Sequence, residues 1–245
     1  IMQSVVIKQR FCGPPNSGNG GYSCGLLAEH ISGPAQVRLH SPPPLDTPLT
    51  IIEDSGDWLL KHQRELVGTA KPAQLDLVPP SPPTLEQARQ ARQTFAGHSD
   101  LNVFRSCFVC GPARDVSDGL QLFTGNIDGT ELVACDWQPN ADLLDEQGNT
   151  KTEFVWSALD CPGYFALRIP LDSGKLFLLG QMTGSIDKPV PGDQPLIIYA
   201  WTQFIEGRKH YSASAIATAE GEVLARAEHL WIELKQPALE KTALE

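Results

Sequence analysis

Hydrophobic and polar residues alternate in short runs over much of this chain, the period-2 pattern of strands with one buried face. In the first part the runs lie near Val5 to Phe11, Ala35 to His40, Leu49 to Asp54, Asp57 to Gly68 and Gln74 to Val78. In the remainder they lie near Gly119 to Thr124, Glu131 to Trp137, Leu176 to Ile186, Pro195 to Ile205, His210 to Ala219 and Val223 to Leu234. Glu206-Gly207 and Glu220-Gly221 separate the last three as turns. Three stretches break the alternation and are predicted helical: about Gly21 to Ile31, Leu85 to Phe95, and Glu153 to Arg168. Thr84-Leu-Glu-Gln87 and Thr150-Lys-Thr-Glu153 have the capping-box form at the starts of the second and third. In that motif two side chains satisfy amides that the first helical turn leaves unpaired.

The third helix differs from an ordinary surface helix. Val155 to Leu167 carries one charge, Asp160, and a helix without a polar stripe must be covered on most sides. Pro162 and Gly163 inside it are predicted to kink or interrupt it. An antiparallel sheet curling around a single helix supplies the cover, and two such units side by side remove the sheet edge at their join.

Val78-Pro-Pro-Ser-Pro-Pro-Thr84 divides the chain, because four prolines in five residues exclude both helix and central strand. The expected organisation is a first unit over 1–78, a proline-rich linker and helix over 79–101, a second unit over 102–235 and a tail over 236–245. Each unit reads as strand, one helix and an antiparallel meander. Pro42-Pro-Pro44-Leu-Asp46-Thr-Pro48-Leu49 aligns with Pro189-Val-Pro191-Gly-Asp193-Gln-Pro195-Leu196 at an offset of 147, with five identities and no gap, which points to a duplication.

Composition narrows the function classes. The chain has 245 residues, 41% hydrophobic and 20% charged, enough for a real core without a metal or disulfide. Nineteen Lys and Arg against 29 Asp and Glu give a net charge of -10, which argues against nucleic acid as a partner. No run approaches the ~20 apolar residues of a membrane span, and the first residues hold no apolar signal core. A soluble cytoplasmic protein is expected. Six cysteines in so long a chain fit a reducing compartment rather than a disulfide scaffold.

Cys107-Phe-Val-Cys110-Gly-Pro112, then Gly119-Leu-Gln-Leu122, a buried helix bearing an aspartate, and Lys188-Pro-Val-Pro-Gly-Asp193 together resemble the opening, central helix and following loop of hotdog-fold acyl-CoA thioesterases. The resemblance covers most of 102–235, and more weakly the first half through its helix and the repeat. It implies an α+β double hotdog: two antiparallel sheets, each wrapped around one central helix, with one chain supplying what a homodimer usually supplies. The implied partner is an acyl-CoA or related thioester, with no membrane and no cofactor; fused units of this kind are compatible with a homo-oligomer.

Asp160 is the leading catalytic candidate. A carboxylate in an apolar helix is costly to bury unless hydrogen-bonded or used, and burial raises its pKa toward general-base work. The plainer alternative is a bond to neighbouring backbone or to the Trp137 N–H. The resemblance implies that such a carboxylate deprotonates water or attacks the thioester carbonyl, while amides at the other unit's helix start polarise that carbonyl. The corresponding stretch here is Asn16-Ser-Gly-Asn-Gly-Gly-Tyr22, which makes Asn19, Gly20, Gly21 and Tyr22 oxyanion or substrate-binding candidates, with an ordinary flexible loop as the alternative. Helix alignment sets Ala28 opposite Asp160 and Glu29 one step on, so one site per chain is expected unless Glu29 serves a second. Thr183 and Ser185 share a strand face where fused thioesterases of similar build hold a water with a hydroxyl. His229 is a further candidate, although a lone strand histidine is more often a satisfied core residue.

Other motifs weigh less. Gly21-Tyr-Ser-Cys-Gly25 matches the serine-hydrolase elbow, which would make Ser23 a nucleophile with His30 or His229, but the parallel α/β context is missing. Cys107 and Cys110 have half a zinc site's spacing; with no second pair in the sequence, structural packing is the expectation and no metal is predicted. The expected function is acyl-CoA thioester hydrolysis. The alternatives are a non-catalytic acyl- or lipid-binding protein and a serine esterase through Ser23.

Overall fold

Most of the alternating runs become strands of one antiparallel sheet in a computed structural model that describes residues 2–235; the tail expected at 236–245 lies outside the described residues. The first half contains β1 (Met2–Val6), α1 (Gly20–Ala28), β2 (Ala35–Leu39), β3 (Pro48–Asp54), β4 (Asp57–His62) and β5 (Glu65–Pro72). A connecting helix α2 (Leu85–Ala91) follows. Then come β6 (Gly125–Asn126), β7 (Val133–Trp137), α3 (Thr152–Ala166), β8 (Phe177–Ile186), β9 (Leu196–Glu206), β10 (Lys209–Thr218) and β11 (Val223–Glu233).

The 11 strands run in the order β1-β3-β4-β5-β2-β8-β11-β10-β9-β7-β6. Read outward from the centre, β2-β5-β4-β3-β1 on one side matches β8-β11-β10-β9-β7 on the other. The aligned proline-rich stretches lead from β2 to β3 and from β8 to β9, equivalent places in that order. Where two sheets were expected there is one, because β2 and β8 pair directly, Ala35 with Gly184 through to Arg38 with Gln181. Each of these strands satisfies the backbone groups that the other would expose as an edge.

Helices α1 and α3 pack on each other against one face of the sheet. They run antiparallel, with Gly21 against Trp156 and Asp160 and Gly25 against Glu153. The approach is closer than any side chain allows: a Cβ on Gly21 would stand 2.4 Å from Asp160 Cβ, and one on Gly25 2.6 Å from Glu153 Cα. The glycines spaced four apart therefore form a groove for α3, and α1 and the sheet together bury every α3 residue from Phe154 to Ala166.

Several local expectations are corrected. The Thr84 capping box forms, with Gln87 N–H donating to Thr84 Oγ1 at 3.1 Å and Thr84 N–H to Gln87 Oε1 at 2.8 Å. The Thr150 box does not; α3 starts from Lys151 with no side-chain cap, and Thr150 Oγ1 is buried without a partner among the described residues. Pro162 does not interrupt α3, which runs through it. The run 57–68 divides at a turn where Gln63 takes φ 55°, and the second predicted helix ends at Ala91 in a short 3-10 turn. Val5 to Phe11 is a strand only to Val6, followed by a 3-10 turn. Neither Gln74 to Val78 nor Gly119 to Thr124 forms a strand. The latter bonds instead to the cysteine loop, Leu120 N–H to Phe108 O and Leu122 N–H to Val109 O. Among the described residues no helix is long and apolar enough to cross a membrane.

Candidate active site

Asp160 sits in the middle of α3, 3% exposed. Its Oδ2 accepts the Gly21 amide at 2.8 Å, at the start of α1. Its Oδ1 has no partner among the described residues. The carboxylate of the second half thus meets the positive end of the first half's helix, the plainer alternative of a backbone bond being realised at the same time. Burial pushes the Asp160 pKa up to about 7, against the opposing pull of the Gly21 amide and, more weakly, the Asn19 side chain. A carboxyl of this kind exchanges its proton near neutral pH.

Asn19 determines how α1 begins. Its Oδ1 accepts the Tyr22 amide at 2.9 Å as an N-cap, and its Nδ2 lies 3.7 Å from both Cys107 Sγ and Cys161 Sγ. Of the four amides predicted to face a substrate, three are committed: Asn19 N–H to Phe11 O, Gly21 N–H to Asp160 and Tyr22 N–H to Asn19. The Gly20 amide alone has no partner among the described residues. The Tyr22 ring is stacked on Phe11 at 4.5 Å as core, and burial raises its phenol pKa.

A cavity of about 250 Å³ adjoins these groups, and both halves line it. The first half contributes Asn19, Gly20 and the 39–43 loop; the second contributes Asp160, Tyr164, Phe177, Leu179 and Trp231. A second cavity of about 260 Å³ lies beyond Tyr164 and Phe165, which line both. Of four basic residues, Lys209 pairs in the sheet with the cavity-lining Ile232; Arg38 donates to Gln181 Oε1 at 3.3 Å, Arg208 donates to the Glu233 carbonyl, and Lys188 pairs with Glu222 at the far end of β11.

Cys107, Cys110 and Cys161 form another wall, with their sulfurs all within 4.8 Å of one another. Contacts with Cys110 and Cys161 hold the Cys107 pKa well below the usual thiol range, and the same contacts push theirs well above it. The sequence did not connect Cys161 to the pair, since it lies 54 positions beyond Cys107 and reaches it only through the placement of α3.

Other candidates lie apart. Gly184 faces Trp156, so Thr183 and Ser185 on either side of it project from the opposite face of the sheet. There Gln36 Nε2 donates to Thr183 Oγ1 at 3.4 Å, and Ser185 Oγ donates to Asp187 Oδ1 at 2.7 Å. His229, 1% exposed, is satisfied on both nitrogens: Nε2–H donates to the Leu159 carbonyl at 2.6 Å and Nδ1 accepts from Ser212 Oγ at 3.1 Å. Trp231 Nε1–H donates in turn to Ser212 Oγ at 2.8 Å, and Ser214 Oγ adds a bond to the same carbonyl. The histidine thus holds the α3 backbone one residue before Asp160, and burial lowers its pKa to about 4. Ser23 Oγ donates to the Asn19 carbonyl at 2.8 Å within its own helix, His30 stacks on Trp58, and Glu29 is exposed at the end of α1. The apparent serine elbow is the helix-packing groove.

No family model matches the chain, and no curated protein matches it by sequence. Solved structures match it closely in shape. The tesB protein of Mycobacterium avium subspecies paratuberculosis is 11% identical, with 96% of this chain and 93% of that one covered at a TM-score of 0.60. An acyl-CoA thioesterase II, TesB2, from Mycobacterium marinum is 10% identical over 95% and 93%, at 0.60. A conserved protein of unknown function with a hot dog fold from Alicyclobacillus acidocaldarius is 11% identical over 96% and 93%, at 0.58. The chain has the hotdog fold along nearly its whole length, as the motifs around Cys107 and Asp160 led one to expect.

Proposed function

We propose that this chain hydrolyses acyl thioesters of the acyl-CoA type, as a double hotdog whose two fused units share one site. The observation that carries the reading is the buried Asp160 carboxyl, anchored by one oxygen to the amide that opens α1 and unpaired on the other, beside a largely apolar cavity that both halves line. The matching strand orders on either side of the β2–β8 seam support two units, and the thioesterases among the solved structures of this fold support the reaction class.

In this mechanism the acyl chain enters the cavity along Tyr164 and Phe165, and the thioester carbonyl lies near the start of α1. Asp160 Oδ1 takes a proton from water as that water attacks the carbonyl carbon. Negative charge developing on the carbonyl oxygen is met by the Gly20 amide and the α1 dipole. The tetrahedral intermediate collapses with expulsion of the coenzyme A thiolate, and the proton held by Asp160 returns to the leaving sulfur. Lys209, beside the cavity-lining Ile232, is the basic residue proposed to attract the phosphates of coenzyme A.

Release of free thiol from a panel of acyl-CoAs tests the reading. Turnover by the wild-type chain, falling about a thousandfold in Asp160→Asn with the fold retained, is expected, within the range for loss of a general base. Binding of acyl-CoA by the wild-type chain with no turnover across the panel replaces the reading with a carrier.

A further inference from the structure

The hydrolysis proposed above uses no sulfur, yet three thiols form part of the cavity wall. Cys107 and Cys161 Sγ are 3.6 Å apart, and Cys110 Sγ completes a group in which no pair exceeds 4.8 Å. One ion at a Zn–S distance of about 2.3 Å in tetrahedral geometry holds sulfurs roughly 3.8 Å apart, so this spacing is one that a single ion closes with small side-chain shifts.

The supporting groups are built as for thiolates. In the turn Cys107-Phe-Val-Cys110-Gly111 the Val109 amide donates to Cys107 Sγ at 3.4 Å. The Gly111 amide closes the turn on Cys107 O at 2.8 Å, and a Cβ there would lie 2.4 Å from Arg105 O and 2.5 Å from Cys107 O. Only glycine lets the chain turn so tightly. Asn19 Nδ2, fixed by its capping bond, stands within 3.7 Å of two of the sulfurs. Donors of this kind orient ligating side chains and favour their charged form. Cys24 and Cys135, equally buried, belong to no such group among the described residues.

We infer that Cys107, Cys110 and Cys161 bind one Zn(II) ion as thiolates, with the fourth coordination position toward the cavity. An all-sulfur donor set selects a soft or borderline ion over magnesium or calcium, and three protein ligands with one open position is the pattern of zinc sites that take an exchangeable ligand. Binding releases the thiol protons, so affinity rises with pH. The inference does not depend on thioester hydrolysis, because its readouts require no turnover.

The test uses the full chain, reduced with a phosphine and stripped by a chelator. Titration with Co(II) is expected to give an intense thiolate-to-metal absorption that saturates at one equivalent and is displaced by Zn(II). X-ray absorption of the zinc-loaded wild-type chain is expected to show three sulfur neighbours at about 2.3 Å. Cys107→Ser and Cys161→Ser, verified as folded by circular dichroism, are expected to weaken binding by at least about a hundredfold, the upper cost of losing a mere supporting residue. Cys135→Ser, outside the group, is expected to leave it unchanged. A reduced wild-type chain with no thiolate band, or a zinc shell with fewer than two sulfurs, overturns the inference, and neither measurement depends on a variant folding.

Discussion

Two helices occupy equivalent places in the two halves of this sheet and differ in almost every other respect. α1 is nine residues long, carries no charged side chain and holds glycines at 20, 21 and 25. α3 is fifteen residues long and carries the acid and one of the three clustered thiols. α1 begins at a side-chain cap from Asn19, whereas α3 begins at Lys151 with none. Where α3 has Asp160, helix alignment gives α1 the buried Ala28, and the neighbouring Glu29 points to solvent. The two halves share a strand order, yet one helix offers an amide donor and the other a carboxylate acceptor.

The strongest way to break that complementarity is to fill the groove. Gly21→Val places new carbons where Asp160 Cβ and the Trp156 carbonyl already stand, within 2.4 and 2.6 Å. A loss of about 3 kcal/mol in urea unfolding is expected, the upper end for overpacking, together with loss of any turnover. A loss under about 1 kcal/mol would mean the helices are not held at this separation.

Next in size is the buried imidazole, a feature of the second half alone; His30, His40 and His62 of the first half are all at least partly exposed. Burial sets the folded pKa of His229 at about 4 against an ordinary 6.5. Its contribution to stability is therefore whole above pH 6.5 and drains away as pH falls toward 4, by roughly 3 kcal/mol. The wild-type chain should lose this much more than His229→Gln between those pH values, read as the difference between two chemical-denaturation curves. Parallel curves would place the histidine in contact with water.

The smallest effect separates the two helix starts. Asn19→Ala should cost about 1 kcal/mol as the cap is lost, whereas Lys151→Ala should stay within about 0.5 kcal/mol. Equal costs would erase the distinction between a capped and an uncapped start.

The strands β8 to β11 were legible because alternation and Glu-Gly turns are local signals, and so was Asp160, a lone charge in an apolar helix. What the sequence concealed depends on partners distant along the chain. Gly21 read as part of a loop for a ligand, and Gly21 and Gly25 as a nucleophile elbow, when both serve the approach of a helix more than a hundred residues away. Thr183 and Ser185 share a face, as alternation requires, but which face is covered follows from Gly184 meeting Trp156. Cys161 had no local signal joining it to Cys107 and Cys110. The Thr150 box failed although its letters were right, because Lys151 became the cap residue one position later.

The join between β2 and β8 carries one more implication. Cutting the chain within its proline segment would not yield two independent proteins, since each fragment would bare a ladder of unsatisfied amides and carbonyls along one strand and a greasy helix flank beside it. Such fragments should find each other again, or a second copy of themselves, before they stay apart in solution.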